Sequence, residues 1–222
     1  MIKTMILAAG RGERMRPLTD TCPKPLLKVG EKALIEHHIT RLVNAGLTDI
    51  VINHAWLGEQ IEQALGDGSR YGATIAYSRE AQALETGGGI YQALPLLGNA
   101  PFWIINGDVW SDYPIEKFKN FSLQGLAHLI LVDNPEHHPQ GDFYLNQSTV
   151  STSGEPRLTF SGIACYHPDL FKNCQQGRFS IVPLLLNAMT QHQVTGEHYH
   201  GQWLDIGTPE RLAQLNQALS TK

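Results

Sequence analysis

Short apolar runs alternate with stretches of helical periodicity along the first half of the chain. Such runs are typical of strands buried in a sheet, and apolar positions three or four residues apart indicate helices on its faces. The expected strands are residues 4–9, 49–54, 74–78 and 102–105, and the expected helices are 34–45, 56–65 and one beginning near Thr86. The alternation predicts an α/β fold.

The pattern changes after Asp108. The elements expected there are a strand at 126–133, several short strands between 143 and 166, a helix at 181–191, a strand at 202–206 and a last helix at 208–219. Thr208 suits the N-cap of that last helix, and Pro209 suits its first turn. Because no repeat or linker interrupts the pattern, we expect residues 1–222 to form a single domain.

Composition narrows the range of partners. The chain has 17 basic and 21 acidic side chains, a net charge of −4, which argues against nucleic acid or a membrane surface and leaves a small anionic substrate open. No stretch approaches the roughly 20 apolar residues of a membrane span. The three cysteines, without metal-ligand spacing, are expected as reduced thiols. We therefore expect a soluble, cytoplasmic protein without an obligate protein partner.

A glycine-rich loop follows the first predicted strand. Residues 8–19 read AAGRGERMRPLT, and such a loop exposes backbone N–H groups to an approaching anion. A dinucleotide-binding fingerprint needs a glycine where Met15 stands, and a P-loop would end in Gly-Lys-Ser/Thr. Pro17 also argues against an uninterrupted helix here. Neither standard phosphate-binding motif fits.

Positive charge is concentrated in and after this loop. The cations are Arg11, Arg14, Arg16 and Lys24, the last between Pro23 and Pro25. Arginine makes planar two-point contacts with phosphate, and lysine offers a compact point charge, so the set suits a triphosphate. A solvated basic loop is the alternative that spacing alone leaves open.

Two aspartates stand where predicted strands end. Asp108 lies in a Gly-Asp turn after the strand at 102–105, and Asp205 precedes Gly207 and the last helix. Ligands of open α/β sheets bind beyond the carboxyl ends of strands, and Mg²⁺ takes one or two protein carboxylates together with phosphate oxygens. The two could therefore hold Mg²⁺, although each alone also suits a turn or a cap.

Residues 7–37, LAAGRGERMRPLTDTCPKPLLKVGEKALIEH, resemble the signature of the sugar-1-phosphate nucleotidyltransferases. The resemblance continues through residues 106–108 (NGD) and 203–209 (WLDIGTP). It implies one three-layer, Rossmann-like domain with a mixed, mostly parallel sheet, a nucleotide-binding N-terminal half and a sugar-phosphate-binding C-terminal half. It also implies a Mg²⁺-dependent reaction of a nucleoside triphosphate with a sugar 1-phosphate, in which pyrophosphate leaves.

The same resemblance implies roles for individual residues. Arg14 and Lys24 would be catalytic and would contact the triphosphate, and Asp108 and Asp205 would bind Mg²⁺. The implied nucleotide contacts are Ala8, Ala9, Gly10, Gly12, Glu80, Glu85, Thr86 and Gly87. The implied acceptor contacts are Asn106, Gly141, Asp142, Ser161 and Gly162.

Residues 84–90, LETGGGI, are similar to the segment with which the family reads the base. Three glycines that open a helix would let a base or ribose lie against the backbone. Glu80 or Gln82 would assist from upstream. Glu85 departs from the pattern, because the family usually has glycine at this position.

The acceptor side departs from the family as well. Many members hold the sugar phosphate with the lysine of a Glu-Lys-Pro segment, whereas residues 154–157 read GEPR here. The candidate replacements are Arg157, Arg178, His137 and His138. A solvated loop is the alternative for the two histidines.

Three segments narrow the resemblance to a subgroup. Residues 53–58 (NHAWLG), 84–89 (LETGGG) and 106–110 (NGDVW) are similar to those of uridylyltransferases that make UDP-N-acetylmuramate from UTP and N-acetylmuramate α-1-phosphate in bacterial cell-wall recycling. The alternatives are a uridylyl- or guanylyltransferase for another sugar 1-phosphate, such as a glucose, mannose or heptose form, and a non-catalytic nucleotide-sugar sensor. The intact metal and phosphate set argues against the sensor.

Overall fold

The computed structural model describes residues 2–220, which are built around one large mixed sheet. Its strands are β1 (Thr4–Leu7), β2 (Lys28–Val29), β3 (Lys32–Ala33), β4 (Asp49–His54), β5 (Thr74–Arg79), β6 (Phe102–Asn106), β7 (Val109–Ser111), β8 (Ala127–Val132), β9 (Phe143–Asn146), β10 (Thr149–Ser151), β11 (Arg157–Tyr166), β12 (Val194–Tyr199) and β13 (Trp203–Asp205). Its helices are α1 (Leu34–Asn44), α2 (Gly58–Leu65), α3 (Glu85–Leu97), α4 (Val182–Thr190) and α5 (Pro209–Ser220). The sheet order is β5-β4-β1-β6-β11-β8-β12-β10-β9, and β2 with β3 and β7 with β13 form two small ribbons.

The first half of the sheet is parallel. In β1, Met5 lies beside Val51 of β4 on one side and Ile104 of β6 on the other. All three side chains are buried, as expected for a sheet covered on both faces. The strands β1, β4, β5 and β6 begin at the residues that the apolar runs predicted. The predicted α/β fold is confirmed.

Helices cover both faces because successive side chains of a strand point to opposite sides. Ile6 of β1 packs in an apolar cluster with Ile39 of α1. Its neighbour Met5 packs on the other face with Ile90 of α3 and Leu185 of α4. All five side chains are at most 1% exposed. The arrangement is the predicted three-layer one.

A third apolar cluster joins α5 to the loops at the edge of the sheet. This cluster consists of Met15, Leu27, Val29, Leu34, Ile206, Leu212 and Leu215. The helix begins at Pro209, and Thr208 Oγ1 accepts a hydrogen bond of 3.4 Å from the Arg211 N–H. The predicted N-cap at Thr208 is confirmed.

The second half of the sheet is mainly antiparallel and closes on itself, so the sheet as a whole is mixed, as expected. β11 pairs with both β6 and β8, and its first two residues, Arg157 and Leu158, also pair with β9. The strands β11, β8, β12, β10 and β9 therefore form a ring. The sequence pattern missed β12, because VTGEHY has few apolar residues, and the ribbon strands β2, β3 and β7, which are two or three residues long.

None of the helices in residues 2–220 is long and apolar enough to cross a membrane. Cys22, Cys165 and Cys174 are free thiols, which confirms the expectation from their number and spacing. Burial raises the pKa of Cys165 to about 12, so this thiol is protonated at neutral pH.

Two buried imidazoles predict a loss of stability in acid. Burial lowers the pKa of His38 and of His128 from 6.5 to about 4. Between these values the unfolded chain binds more protons than the folded protein, so the free energy of unfolding falls as the pH drops through this window. Each imidazole contributes on the order of 3 kcal/mol to the decline.

Urea unfolding between about pH 7 and pH 4.5 measures this decline. His128→Gln removes one of the two imidazoles and should make the decline shallower, even though the variant starts from a lower stability. A decline of the same steepness in the variant and in the wild type would contradict the assignment to His128.

Candidate active site

A cleft of about 380 Å³, the first cleft, opens beyond the carboxyl ends of β1, β4 and β6. The chain passes from β1 to β4 on one side and later returns through β6 on the other. Ligands of open α/β sheets bind at such a switch point. Ten of the predicted site residues line the first cleft: Ala8, Ala9, Gly10, Gly12, Arg14, Lys24, Glu85, Thr86, Asn106 and Asp108.

The glycine-rich loop is folded tightly around Gly12. This residue has φ 67°, and a Cβ on it would lie 3.1 Å from Thr19 Cγ2 and 3.2 Å from Lys24 Cβ. The Thr19 hydroxyl donates a hydrogen bond of 2.8 Å to the Gly12 carbonyl. Met15, which breaks the dinucleotide fingerprint, is fully buried in the third apolar cluster. Met15 anchors the loop, so the residue that stands in place of the fingerprint glycine has a packing role.

The four predicted cations divide into two pairs. Arg11 and Arg16 both bind Asp20, at 3.2 and 2.9 Å, and the Arg11 guanidinium also stacks 3.7 Å above the ring of Trp56. These contacts fix the outer turn of the loop. Arg14 is exposed and lines the first cleft, and no hydrogen bond or ion pair to its side chain occurs within residues 2–220. Arg14 is therefore available to an anion.

Lys24 is the buried member of the set. Its side chain is 10% exposed, and its Nζ lies 2.7 Å from Asp108 Oδ2. Pro23 is extended, with φ −65° and ψ 141°, and Lys24 begins a short 3-10 turn that also contains Pro25. The rigid segment thus delivers a lysine to the predicted metal ligand.

Glu80 lies behind the wall of the first cleft. Its Oε1 accepts a 2.7 Å hydrogen bond from Asn53 Nδ2, and its Oε2 accepts one of 2.8 Å from the Leu84 N–H. Asn53 Oδ1 in turn accepts a 3.0 Å bond from the Ala8 N–H. Burial raises the pKa of Glu80. Glu80 therefore braces the cleft, and Asn53, which the sequence analysis missed, lines it.

The three glycines at the start of α3 are buried and pack against protein. A Cβ on Gly87 would lie 2.6 Å from the ring of Phe179, and one on Gly88 would lie 2.2 Å from the Gly177 carbonyl oxygen. The Phe179 carbonyl accepts a 3.0 Å bond from the Gly88 N–H. A Cβ on Gly89 would lie 2.6 Å from Glu80 Oε1. The expectation that these glycines open the backbone to a base is corrected, because protein atoms fill the space beside all three, and Gly87 does not line the first cleft.

The backbone conformation at Glu85 explains why the family usually has glycine at this position. It has φ 61°, the left-handed region that glycine adopts without strain. Its carboxylate accepts a 3.0 Å bond from Arg178 Nε, an ion pair in which both side chains are well exposed. Thr86 follows inside the helix, and α3 has no side-chain N-cap. Glu85 and Thr86 both line the first cleft.

Gly88→Ala should destabilise the fold by about 1–3 kcal/mol, the usual cost of overpacking. The new methyl group would collide with the backbone carbonyl of Gly177, which cannot rotate away as a side chain would. Gly10→Ala is the matched control, because a Cβ at Gly10 meets nothing within 4 Å. Chemical unfolding should show a loss only for Gly88→Ala, and equal stability of the two variants would contradict the packing role.

The β7/β13 ribbon brings the two predicted metal ligands together. Asp205 pairs with Val109, the residue after Asp108, and the Ile206 N–H donates a 2.7 Å bond to the Asp108 carbonyl. Both aspartates line a second cleft of about 340 Å³. Apart from the ion pair of its Oδ2 with Lys24, the Asp108 carboxylate has no hydrogen bond from the described part of the chain. Asp108 and Asp205 lie next to each other across the ribbon and line the same cleft, so they are the residues that could hold Mg²⁺.

Arg211 is a site residue that the sequence analysis missed. Its Nη1 donates to both oxygens of Asp205 at 2.5 Å, and it lies 2.8 Å from His137 Nε2. A Cβ on Gly207 would lie 2.6 Å from Arg211 Nη2 and 3.2 Å from Arg14 Nη2, so glycine leaves room for two converging guanidinium groups. Arg211 thus fixes the orientation of Asp205. Its position in an amphipathic helix resembled a solvated surface in the sequence.

The second cleft contains most of the predicted acceptor residues. A bulge in β11 leaves Ser161 and Gly162 out of register with β8, and a Cβ on Gly162 would lie 2.7 Å from Asn106 Nδ2. Asp142 Oδ2 accepts a 2.8 Å bond from the Phe160 N–H. Gly141 has φ 62° and stands next to the cleft without lining it. The bulge thus presents the Ser161–Gly162 turn beside Asn106, as bulges near active sites often do.

The two clefts meet at Asn106 and Asp108, which line both. Among the candidate replacements for the family's sugar-phosphate lysine, His137 and His138 line the second cleft. Arg178 pairs with Glu85 at the first cleft, and Arg157 lies 3.6 Å from Glu155, outside both linings. The histidine pair is therefore the candidate that the fold brings to the acceptor side.

Comparison with known proteins shows the family to which the chain is related. Residues 3–143 match the model of the Nucleotidyl transferase family. The chain is 53% identical to an N-acetylmuramate alpha-1-phosphate uridylyltransferase from Neisseria meningitidis serogroup B, over 99% of this chain and 98% of that protein. It is 32% identical to the protein of the same description from Caulobacter vibrioides, over 93% and 92% of the two chains.

A solved structure has the same fold. The crystal structure of a Bacillus anthracis protein proposed to be a glucose-1-phosphate thymidylyltransferase, in complex with sucrose, superposes with a TM-score of 0.86. The match covers 98% of this chain and 95% of that one at 23% sequence identity, so it bears on the fold alone.

Proposed function

Because this chain belongs to the nucleotidyl transferase family, we propose that it joins UTP and N-acetylmuramate α-1-phosphate to form UDP-N-acetylmuramate and pyrophosphate. The full-length similarity to the Neisseria meningitidis enzyme supports these substrates. The observation that carries the reaction is the junction of the two clefts at Asn106 and Asp108. We place this activity in the cytoplasm and in peptidoglycan recycling, and the free thiols suit a reducing compartment.

The nucleotide is assigned to the first cleft. The loop around Gly10 and Gly12 lines this cleft, where its backbone N–H groups would bind the phosphates, and Arg14 and Lys24 supply the positive charge. The base is assigned to the wall formed by Glu85 and Thr86, which Glu80 braces from behind through its hydrogen bond with the Leu84 N–H. The cleft volume of about 380 Å³ is within the range of small-molecule sites.

The sugar 1-phosphate is assigned to the second cleft. Asn106, Asp142 and the Ser161–Gly162 turn offer polar partners for hydroxyl and amide groups of the sugar. N-acetylmuramate also has a carboxylate, and His137 and His138 are the imidazoles beside which it would lie. The contact of His138 Nε2 with Asp142 Oδ1, at 3.1 Å, keeps that imidazole at the wall of the cleft.

The reaction needs no covalent enzyme intermediate. An oxygen of the sugar phosphate forms a bond to the α-phosphorus of UTP, the bond from that phosphorus to the bridging oxygen of the β-phosphate breaks, and pyrophosphate leaves with those electrons. The attacking phosphate is already anionic near pH 7, so no side chain has to remove a proton. Arg14 and Lys24 act by positioning the anions and stabilising the negative charge.

Mg²⁺ is proposed as the cofactor, held by Asp108 and Asp205. A bound Mg²⁺ ion supplies charge neutralisation to phosphate oxygens. The protein's part is to keep the two carboxylates in place, through Lys24 on Asp108 and Arg211 on Asp205. Asp108 and Asp205 would therefore bind the ion, and Lys24 and Arg211 would orient their carboxylates.

Arg211→Gln should raise the Mg²⁺ concentration needed for half-maximal activity by about 10–100-fold, the usual effect of losing a group that orients a metal ligand. Asp205 would keep its charge but lose the two 2.5 Å contacts that fix its carboxylate. Saturating Mg²⁺ should restore most of the turnover. Arg70→Gln, at an exposed arginine paired with Glu36, is the control. An unchanged Mg²⁺ requirement in Arg211→Gln would contradict this role.

The substrate assignment is tested by pyrophosphate release with Mg²⁺ and a grid of nucleoside triphosphates and sugar 1-phosphates. The acceptors are N-acetylmuramate, N-acetylglucosamine, glucose and mannose 1-phosphates. Release is expected with UTP and N-acetylmuramate α-1-phosphate. Release only with another combination would keep the reaction type and overturn the proposed substrates. Nucleotide binding without release from any pair would favour the sensor.

A further inference from the structure

Three metal-ligating side chains converge outside both clefts. Asp133, His198 and His200 each offer a ligand atom, and these atoms all lie within 4.8 Å of one another. Within residues 2–220 no other group of three or more His, Cys, Asp or Glu side chains is gathered in this way. His198 Nε2 lies 2.9 Å from Asp133 Oδ1, and the two imidazole centroids are 3.9 Å apart.

The parallel pairing of β8 and β12 builds this cluster. Tyr199 pairs with Val132, and His200 and Asp133 are the next residues along the two strands. His198 stands two residues before His200, a spacing that puts both side chains on one face of an extended chain. The register of the sheet, rather than the reach of long side chains, therefore brings the three groups together.

We propose that Asp133, His198 and His200 form a second metal site, for a divalent transition-metal ion such as Zn²⁺. Two imidazoles and one carboxylate, with water in the fourth position, are a donor set that Zn²⁺ accepts, whereas Mg²⁺ prefers oxygen ligands. Bonds of about 2.0–2.2 Å place tetrahedral ligand atoms about 3.4 Å apart. His198 Nε2 and Asp133 Oδ1 are 2.9 Å apart, and all three ligand atoms lie within 4.8 Å of one another, so small side-chain movements would bring them to that spacing.

The position of the cluster assigns the ion a structural role. The chain runs from Asp133 to His137 in four residues and from His200 to Asp205 in five, and both of these end points line the second cleft. An ion bound at the cluster holds the bases of the two segments together. It stabilises the folded protein without touching the substrates, so this inference stands whether or not the proposed substrates are the right ones.

Calorimetric titration of tag-free, chelator-treated protein with Zn²⁺ tests the site. Excess Mg²⁺ in the buffer competes at oxygen-ligand positions such as Asp108. The expected result is one Zn²⁺ per chain and a higher midpoint of thermal unfolding. His200→Asn should weaken Zn²⁺ binding about tenfold or more, because it removes one of three direct ligands. The matched control is His192→Asn, at an exposed histidine with φ 54° that asparagine tolerates.

The control should bind Zn²⁺ as the wild type does. Equal Zn²⁺ affinity in His200→Asn and wild type would put the ion elsewhere and overturn the proposal, as would a failure of the wild type to bind Zn²⁺. Asp133→Asn is the second variant, in case His200→Asn does not fold, and its unfolding curve without Zn²⁺ should match the wild type. Turnover with Mg²⁺ alone should be unchanged in Asp133→Asn, which separates this site from the active site.

Discussion

Lys24→Met should lower turnover about 10²–10³-fold, which is the typical effect of removing one charge-stabilising group from an active site. The methionine keeps the length of the side chain but takes away the only charge that the rigid Pro23–Pro25 segment delivers. In the free protein the ammonium group rests 2.7 Å from Asp108 Oδ2 at the rim of the first cleft. This is the cleft in which we propose that the phosphates of the nucleotide bind.

The fold should survive this change. Asp108 is 41% exposed, so water can solvate its carboxylate once the lysine is gone. An ion pair with such an exposed member stabilises a protein by only about 0–1 kcal/mol. Lys28→Met, at an exposed lysine outside both clefts, is the matched control for steady-state kinetics. Turnover within a factor of about two of the control would remove Lys24 from the mechanism.

Asp108→Asn should have an effect of similar size, about 10²–10³-fold on turnover. Asparagine has nearly the same shape, so the loss would come from the negative charge that Mg²⁺ requires. High Mg²⁺ should rescue this variant poorly, because an amide is a weak ligand, whereas it should rescue Arg211→Gln well. The contrast separates a metal ligand from a residue that orients one.

Asp112→Asn is the matched control for Asp108→Asn. Asp112 is an exposed aspartate just beyond β7, outside both clefts, and it accepts a 2.6 Å hydrogen bond from the Tyr199 hydroxyl, which an amide oxygen can also accept. Its turnover and Mg²⁺ requirement should match the wild type. A comparable loss in both aspartate variants would indicate a general disturbance of the ribbon instead of a metal site.

The parallel half of the fold was predictable because its strands are buried on both faces. Burial on both faces makes a strand an uninterrupted apolar run, and β1, β4 and β6 could therefore be placed within a few residues. β12 could not, since Gly196 and Glu197 interrupt its apolar pattern and its role depends on pairing with β8 far away in the chain. Short ribbons such as β2 with β3 leave no periodicity to detect.

Site residues that belong to a sequence motif could be predicted. Site residues whose role depends on packing in the folded chain were harder to predict. Lys24 and Asp108 were named in advance, and the structure brings them within 2.7 Å of each other. The role of the α3 glycines was predicted wrongly, because the sequence does not show whether a glycine makes room for a ligand or for a protein side chain such as Phe179. Arg211 was missed, since only the folded chain puts it on Asp205.

The departure at Glu85 has a similar explanation. A sequence shows that glycine is replaced, but it does not show the backbone angle that the position demands. With φ 61°, Glu85 accepts a conformation that costs a non-glycine residue about 1–2 kcal/mol. It gains an ion pair with Arg178, from the segment that packs on the glycines. The effect of glutamate at this position therefore depends on both the strained backbone and the ion pair that its side chain forms.

The third apolar cluster makes the last helix inseparable from the chemistry. Leu212 and Leu215 of α5 pack with Met15 of the glycine-rich loop, Leu27 after the Lys24 turn and Ile206 beside Asp205. Three segments that are far apart in the chain thus pack against α5 in the same apolar cluster. A shortened version that ends before α5 would lose Arg211 and the apolar packing next to Arg14, Asp205 and the Lys24 turn. For protein engineering, a minimal catalytic unit of this chain has to keep that helix.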